Sequence, residues 1–224
     1  MKENNTTAKL VEEEINNTLY LKEILKKGLI NYSALTRELL PRIKSKNNKA
    51  NFQSVLISIQ RYYDRIKLTK SSYEQFLKEN LPKAELITKN KIITLTFERT
   101  KKVMDSLNEI SKSIRWDLGN ILLYIQGIEE VTIITDEKHK EKFNFLKKYL
   151  LEEKENLATI SFREPEGKLY SKEVVGVLSF LTRILADNDI NIYEIASTYK
   201  QLIFVIHKKD LTKAHNILDN LINN

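Results

Sequence analysis

The N-terminal third of the chain carries basic and amide side chains of the kinds that bind DNA. Lysine and arginine neutralise phosphates, while arginine and glutamine can also hydrogen-bond to base edges in the major groove. The candidates lie on the polar face of a helix predicted over residues 51–66 and in the segment before it: Arg42, Lys44, Lys46, Lys49, Gln53, Gln60 and Arg61. They are the predicted DNA-binding residues.

The same residues also fit a surface that binds no nucleic acid. Asp64 is predicted at the centre of the outer face of this helix, where it would repel phosphate. Runs of charge are commonly solvated faces, so both interpretations stay open.

No catalytic motif is present in the sequence. There is no cysteine, and the chain has five glycines without a phosphate-binding loop pattern. His139, His207 and His215 lack the spacing of metal ligands and are expected at exposed polar positions. We therefore expect a protein that is not an enzyme and has neither a metal nor a cofactor.

The basic character of the chain is confined to its N-terminal third. Residues 17–80 carry 13 Lys and Arg against 5 Asp and Glu, whereas residues from 81 onward carry 22 against 21. The 224 residues, 42% of them hydrophobic, suffice for packed cores. Neither a signal peptide nor a run of about 18 apolar residues occurs, which predicts a cytoplasmic location.

Helical spacing of apolar residues dominates up to about residue 78 and predicts three or four helices. The first is expected to run past Val11, Ile15 and Leu19 to a stop at Gly28, and the second from about Ser33 to Ile43, with Pro41 ending or kinking it. The clearest follows Asn51, a candidate N-cap, with an apolar stripe of Val55, Ile59, Tyr62 and Ile66.

From residue 91 onward, strands and helices alternate. IITLTFE, ILLYIQG, VTIITD and LATISF indicate strands, with one helix after the first and a lysine-rich helix after the third. A related order then repeats, which predicts an α+β fold with ferredoxin-like βαββαβ units. The predicted domains are 1–82, helical; 83–156, a first unit; and 157–224, a second. LATISF fits either unit, so a strand exchanged between them stays open.

The segment from Val175 to Leu218 closely resembles ACT domains of aspartokinase regulatory regions and stand-alone amino-acid sensors. The matching positions are Gly176, Val177, Ile190, Asn191, Ile192, Ile195, Ser197, Thr198, Ile203 to Ile206, Asp210 and Ala214. The first unit matches only in outline, because Arg99 and Thr100 stand where the glycine opening would be. GLINYSALTRELLPRI and SVLISIQRYYDRI resemble the helix-turn-helix-type segment of some archaeal regulators.

The ACT resemblance implies a ligand site where the loop before the first helix meets the second strand. The residues it implies are Gly176, Val177, Asn191, Ile192, Ser197 and Thr198. A glycine lets the backbone at a helix N-terminus approach a carboxylate closely. Two competing interpretations need no ligand. Gly176 would then only form a tight turn, and the polar side chains would only hydrogen-bond to the backbone.

The resemblance implies a regulatory protein that binds an amino acid or another small metabolite. With the basic helical domain, it implies control of transcription through double-stranded DNA, and a homodimer that presents two such domains. The alternative is a regulatory subunit that controls an enzyme by protein contact.

Overall fold

The computed structural model describes residues 6–18, 20–67, 84–164 and 176–223. The chain divides into two compact units, residues 1–71 and 72–224, and each is described by itself. None of the helices in the described ranges is both long and apolar enough to cross a membrane. The N-terminal domain boundary predicted at 82/83 lies outside the described residues.

The N-terminal unit is helical, as predicted, but its first helix is broken. The helices are α1 Thr7–Asn17, α2 Leu21–Lys26, α3 Tyr32–Lys46 and α4 Phe52–Ile66. The single helix predicted up to Gly28 is wrong, because Tyr20 adopts a left-handed backbone with φ 62° that ends helical hydrogen bonding. Leu19 lies outside the described residues.

Helix α3 is longer at both ends than the sequence predicted. Asn31, not Ser33, caps it, since its side chain accepts a hydrogen bond from Ala34 N at 3.0 Å. The helix continues past Pro41, which is exposed. Leu39 and Ile43 are both buried in the core on either side of Pro41, and their packing offsets the hydrogen bond that proline cannot donate.

Helix α4 confirms the clearest prediction for this unit. Asn51 Oδ1 accepts from Ser54 N at 2.9 Å, and Ser54 Oγ accepts from Asn51 N at 3.0 Å, which forms a reciprocal capping box. The predicted stripe faces the core, and all four of its residues are buried: Val55, Ile59, Tyr62 and Ile66.

The C-terminal unit builds one six-stranded antiparallel sheet, with helices between the strands. Its strands are β1 Glu85–Glu98, β2 Leu122–Gln126, β3 Glu130–Asp136, β4 Leu150–Arg163, β5 Ile192–Ser197 and β6 Gln201–His207. Its α-helices are α5 Lys101–Lys112, α6 Val177–Asp187 and α7 Leu211–Asn223. The lysine-rich helix is a 3₁₀ helix, Glu137–Tyr149, and Leu150 already belongs to β4.

The strand order is β2-β3-β1-β4-β6-β5, and the two central strands are shared. β1, β2, β3 and β4 have the order of a ferredoxin-like unit. β4 is also the first strand of a second unit of this kind, in which β5 and β6 are the second and third strands. The fourth strand of that unit is the N-terminal half of β1, which pairs with β4. The α+β prediction is confirmed. The domain boundary predicted between residues 156 and 157 falls inside β4, so the sheet continues across it.

The two faces of the sheet differ. One is covered by the helices, through clusters built on residues such as Phe97, Phe143, Phe162 and Phe204. The other carries a smaller cluster around Ile92, Ile134, Leu157 and Val205. Within the described ranges, no helical residue belongs to that cluster, and we call this side the helix-free face.

Candidate functional site

Two of the predicted DNA-binding cations are held by an acidic residue of the same unit. Lys46 Nζ lies 2.7 Å from Glu14 Oε1, and Arg42 lies 3.8 Å from the other oxygen of Glu14 and 2.9 Å from Glu38. The hydrogen bond to Glu14 raises the pKa of Lys46. The ion pairs compete with any phosphate for these cations.

The other five predicted DNA-binding residues are exposed: Lys44, Lys49, Gln53, Gln60 and Arg61. Gln53 and Gln60 lie on the outer face of α4 with Asp64, as the sequence indicated. Asp64 forms an ion pair with Lys67 at 2.5 Å, which partly offsets its repulsion of phosphate. DNA binding stays a prediction.

Gly176 and Val177 lie where the ACT resemblance put them, at the start of α6. Gly176 is the N-cap residue, with φ 102° in the left-handed region that favours glycine. Its carbonyl oxygen accepts from Phe180 N at 2.9 Å, the first hydrogen bond of the helix. The first N–H groups of a helix have no intrahelical partner, so this turn presents donors to an anion.

Asn191 and Ile192 lie at the other end of α6 from Gly176. The helix has 11 residues, so its ends are about 16 Å apart at 1.5 Å per residue. β5 then returns along the helix and places Ser197 and Thr198 back at the end near Gly176. The structure therefore groups Gly176, Val177, Ser197 and Thr198 at one end and Asn191 and Ile192 at the other.

A cleft of about 680 Å³ opens on the helix-free face, and none of the six predicted ligand residues lines it. Its floor comes from the N-terminal half of β1, the C-terminal half of β4 and the start of β6. One wall is formed by the last residues of α5, Ser111 and Lys112, and by the segment between α5 and β2. Apolar lining is contributed by Ile87, Ile114, Ile121, Leu122, Leu123 and Ile203.

A polar strip crosses the floor of this cleft. Gln201 Nε2 donates to Ser161 Oγ at 2.9 Å, and Ser161 Oγ donates to the carbonyl oxygen of Ile87 at 3.3 Å. Thr159 is 3% exposed and also lines the floor. Within the described ranges the Thr159 hydroxyl makes no hydrogen bond.

A lysine in the same cleft is already paired. Lys89 Nζ lies 2.7 Å from Asp136 Oδ1 and donates to the carbonyl oxygen of Gly119 at 2.5 Å. Asp136 Oδ2 in turn accepts from Ile121 N at 2.7 Å. These bonds fasten the segment before β2 to the sheet and neutralise the charge of Lys89.

The segment before β2 leaves an indole ring at the rim of the cleft. Trp116, the one tryptophan of the chain, is 81% exposed. Arg115 forms two hydrogen bonds with Asp117, at 2.8 and 2.5 Å, and Asn120 Nδ2 donates to the carbonyl oxygen of Arg115 at 2.6 Å. The backbone that carries Trp116 is thus tied down on both sides.

His139 corrects the expectation that the histidines are exposed. It is 9% exposed on the 3₁₀ helix, and its Nε2 has no hydrogen-bond partner in the described part of the chain. Burial lowers the pKa of His139, an effect that the nearby Asp136 carboxylate partly opposes. The ring is therefore favoured in its neutral form.

Residues 153–220 match the family model of the ACT domain. The match starts in β4 and ends in α7, so it covers the second arrangement of the sheet except for its fourth strand, the N-terminal half of β1. This confirms the ACT resemblance for that part of the chain. No curated protein sequence matches the chain.

Among solved structures, this chain is similar to aspartate kinase from Clostridium acetobutylicum, at 16% identity over 61% of this chain and 34% of that one, with a TM-score of 0.49. For the alpha and beta subunits of an aspartokinase, the identity is 15% over 62% of this chain and 97% of that one, with a TM-score of 0.48. For the regulatory subunit of aspartate kinase from Thermus thermophilus, the identity is 12% over 62% of this chain and 95% of that one, with a TM-score of 0.47. The chain spans about a third of the length of the Clostridium enzyme.

Proposed function

We propose that this protein is a regulator that binds an amino acid through its ACT-type unit and passes the signal on through its basic helical unit. The match of residues 153–220 to the ACT domain carries this proposal. The proposal assigns the protein no catalytic step.

The geometry at the start of α6 supports binding of a carboxylate. The left-handed Gly176 sets the turn, and the N–H groups of the first helical turn, which have no partner within the helix, favour a negative group. Ser197 and Thr198 lie at the same end and are exposed. The Thr198 hydroxyl already donates to the carbonyl oxygen of Gln201 at 3.5 Å, so the Ser197 hydroxyl is the more available to the rest of a small ligand.

A ligand as small as an amino acid cannot span the length of α6, so Asn191 must act on a ligand held partly by another surface. We propose that a second copy of the chain supplies it, with the Gly176 end of one copy facing the Asn191 end of the other. β5 lies at the edge of the sheet among the described strands, and its outer side, which pairs with none of them, suits such pairing. The interface of a two-fold dimer would then contain two equivalent sites.

Thermal denaturation with each of the twenty amino acids tests the proposal, because a ligand selective for the folded state raises the melting temperature. At least one amino acid is expected to do so, and Asn191→Ala should abolish its effect. Asn216→Ala, on the exposed side of α7, is the matched control and should leave the effect intact. If no amino acid changes the melting temperature of the unmodified protein, amino-acid sensing is rejected.

Transcription is the first candidate output, since the exposed basic and amide residues of the helical unit suit duplex DNA. The second candidate is control of an enzyme by protein contact. It is favoured by the pairing of Arg42 and Lys46 with Glu14, which reduces the charge available to phosphate. Duplex binding that weakens steeply with salt would support the first, because phosphate neutralisation releases counterions. Co-purification of an enzyme together with absent DNA binding would support the second.

A further inference from the structure

The cleft on the helix-free face has the size and lining of a small-molecule site. Its volume of about 680 Å³ falls within the roughly 300–1,000 Å³ typical of ligand pockets. Such pockets combine apolar walls with a few fixed polar groups, and here the polar strip on the floor provides those groups. The cleft is separate from the Gly176 and Asn191 positions of the ACT-type site.

The charges around the cleft argue against an ionic ligand. Lys89 is neutralised by Asp136 at 2.7 Å, and Lys112, at the rim, pairs with Glu109 at 2.7 Å. An anion would have to break the Lys89–Asp136 pair or lie beside its carboxylate in a partly dry site, and both are unfavourable. The exposed Lys112–Glu109 pair contributes little to this cost. A neutral ligand meets neither cost.

The floor argues against a purely apolar ligand. Thr159 is 3% exposed and lines the cleft, and its hydroxyl forms no hydrogen bond to the described residues, so covering it with a hydrocarbon would remove its access to water. A ligand with a polar edge can donate to or accept from this hydroxyl, next to the Ser161–Gln201 pair.

The rim favours a flat ring. Trp116 is 81% exposed beside the opening of the cleft, on a segment fixed by the hydrogen bonds described above. Its indole ring can stack there on a planar ligand. Stacking of a base on an aromatic side chain is favourable and does not depend on a particular base. From these observations we infer that the cleft binds an uncharged planar heterocycle of the nucleobase type, with its polar edge on Thr159 and its face against Trp116.

Titration of the full-length protein with adenine, adenosine and uracil tests this inference. Trp116 is its own reporter, because covering the chain's one indole changes its emission. At least one of these neutral compounds is expected to bind saturably, and AMP and benzoate, which carry charges, at least tenfold more weakly. Tighter binding of the charged compounds than of every neutral one would overturn the inferred ligand class.

Two variants locate the site by equilibrium dialysis with the bound heterocycle. Thr159→Val keeps the side-chain shape, removes the hydroxyl, and should weaken binding about tenfold. Trp116→Ala should do the same while leaving the melting temperature unchanged, since the ring is exposed. The control Thr94→Val alters a buried threonine of β1 that does not line the cleft, and should leave affinity unchanged.

Absence of saturable binding for all three heterocycles, or affinity unchanged by both variants, would overturn the inference. Asn191→Ala separates this site from the ACT-type site, because it should leave heterocycle affinity unchanged. The amino-acid response and the heterocycle response can therefore fail independently.

Discussion

Lys89 and Asp136 form an ion pair that joins β1 to the end of β3 on the helix-free face, with 2.7 Å between Nζ and Oδ1. The lysine also donates to the carbonyl oxygen of Gly119, and the carboxylate accepts from the backbone N–H of Ile121. Since Asp136 is 7% exposed, its charge depends on these partners rather than on water. The pair therefore supports both the sheet and the segment that carries Trp116.

Replacing Lys89 by methionine should destabilise the protein clearly. Methionine keeps an unbranched side chain one atom shorter than that of lysine, but Asp136 loses its cation in a nearly buried position. The expected loss is roughly 2 kcal/mol in the free energy of unfolding. Urea denaturation measures it. Lys138→Met, which removes an exposed charge beside the same strand end, is the control and should have little effect. Equal losses for the two variants would show that the ion pair contributes nothing specific.

Releasing the cations held by Glu14 should strengthen any binding to DNA. In Glu14→Gln, Lys46 loses its carboxylate partner and becomes available to phosphates, while Arg42 loses the weaker of its two contacts and keeps Glu38. We expect a higher affinity for a DNA duplex, measured by fluorescence anisotropy. The affinity should also decrease more steeply with salt, by the amount that about one additional phosphate contact adds to the slope.

Glu23→Gln on α2 changes the net charge equally but lies on an exposed position without a pair to the predicted cations in the described residues. An increase confined to Glu14→Gln supports the predicted DNA surface. Equal increases would reflect net charge alone, and the absence of duplex binding in all three proteins would reject the DNA-binding prediction.

Loss of the cap of α4 should weaken the helical unit. Asn51→Ala removes the acceptor for Ser54 N at 2.9 Å, and removing such a cap costs about 1 kcal/mol. Chemical denaturation of the full chain, followed by helical circular dichroism, measures the change. Asn48→Ala lies three residues earlier in an exposed turn and should cost far less. A loss as large for Asn48→Ala would refute the capping role.

Local signals predicted the helices and strands well where one face is buried. The spacing of Val55, Ile59 and Tyr62 depends only on the period of a helix that packs on one side, and the structure buries all three. The break at Tyr20 escaped prediction because the apolar spacing continues across it, and only its left-handed backbone interrupts the helix.

The cleft could not be predicted from sequence because its floor is assembled by long-range pairing. Thr159 lies opposite Lys89 on β1 and opposite Val205 on β6, and no local pattern fixes either register. One signal was available. Thr159 and Ser161 alternate with apolar residues in LATISF, which marks one face of a buried strand as polar. Without the strand order, however, the sequence did not show which strands lie beside this one or which residues share its polar face.

The burial of His139 should make stability depend on pH near neutrality. Because burial lowers the pKa of this ring in the folded protein, the unfolded chain binds the proton more readily as the pH falls below about 6.5. The contribution to the free energy of unfolding is complete above that pH and is lost as the pH falls through the folded-state pKa. Urea denaturation at pH 7.5 and 5.5 measures the difference.

The variant His139→Leu should remove this part of the pH dependence. The buried Nε2 has no partner in the described ranges, so leucine should also cost little stability at pH 7.5, where the ring is neutral. His215→Gln changes a half-buried histidine on α7 and should leave the pH dependence as it is in the unmodified protein. A pH dependence that persists in His139→Leu but disappears in His215→Gln would assign the proton to the other ring and refute the role of His139.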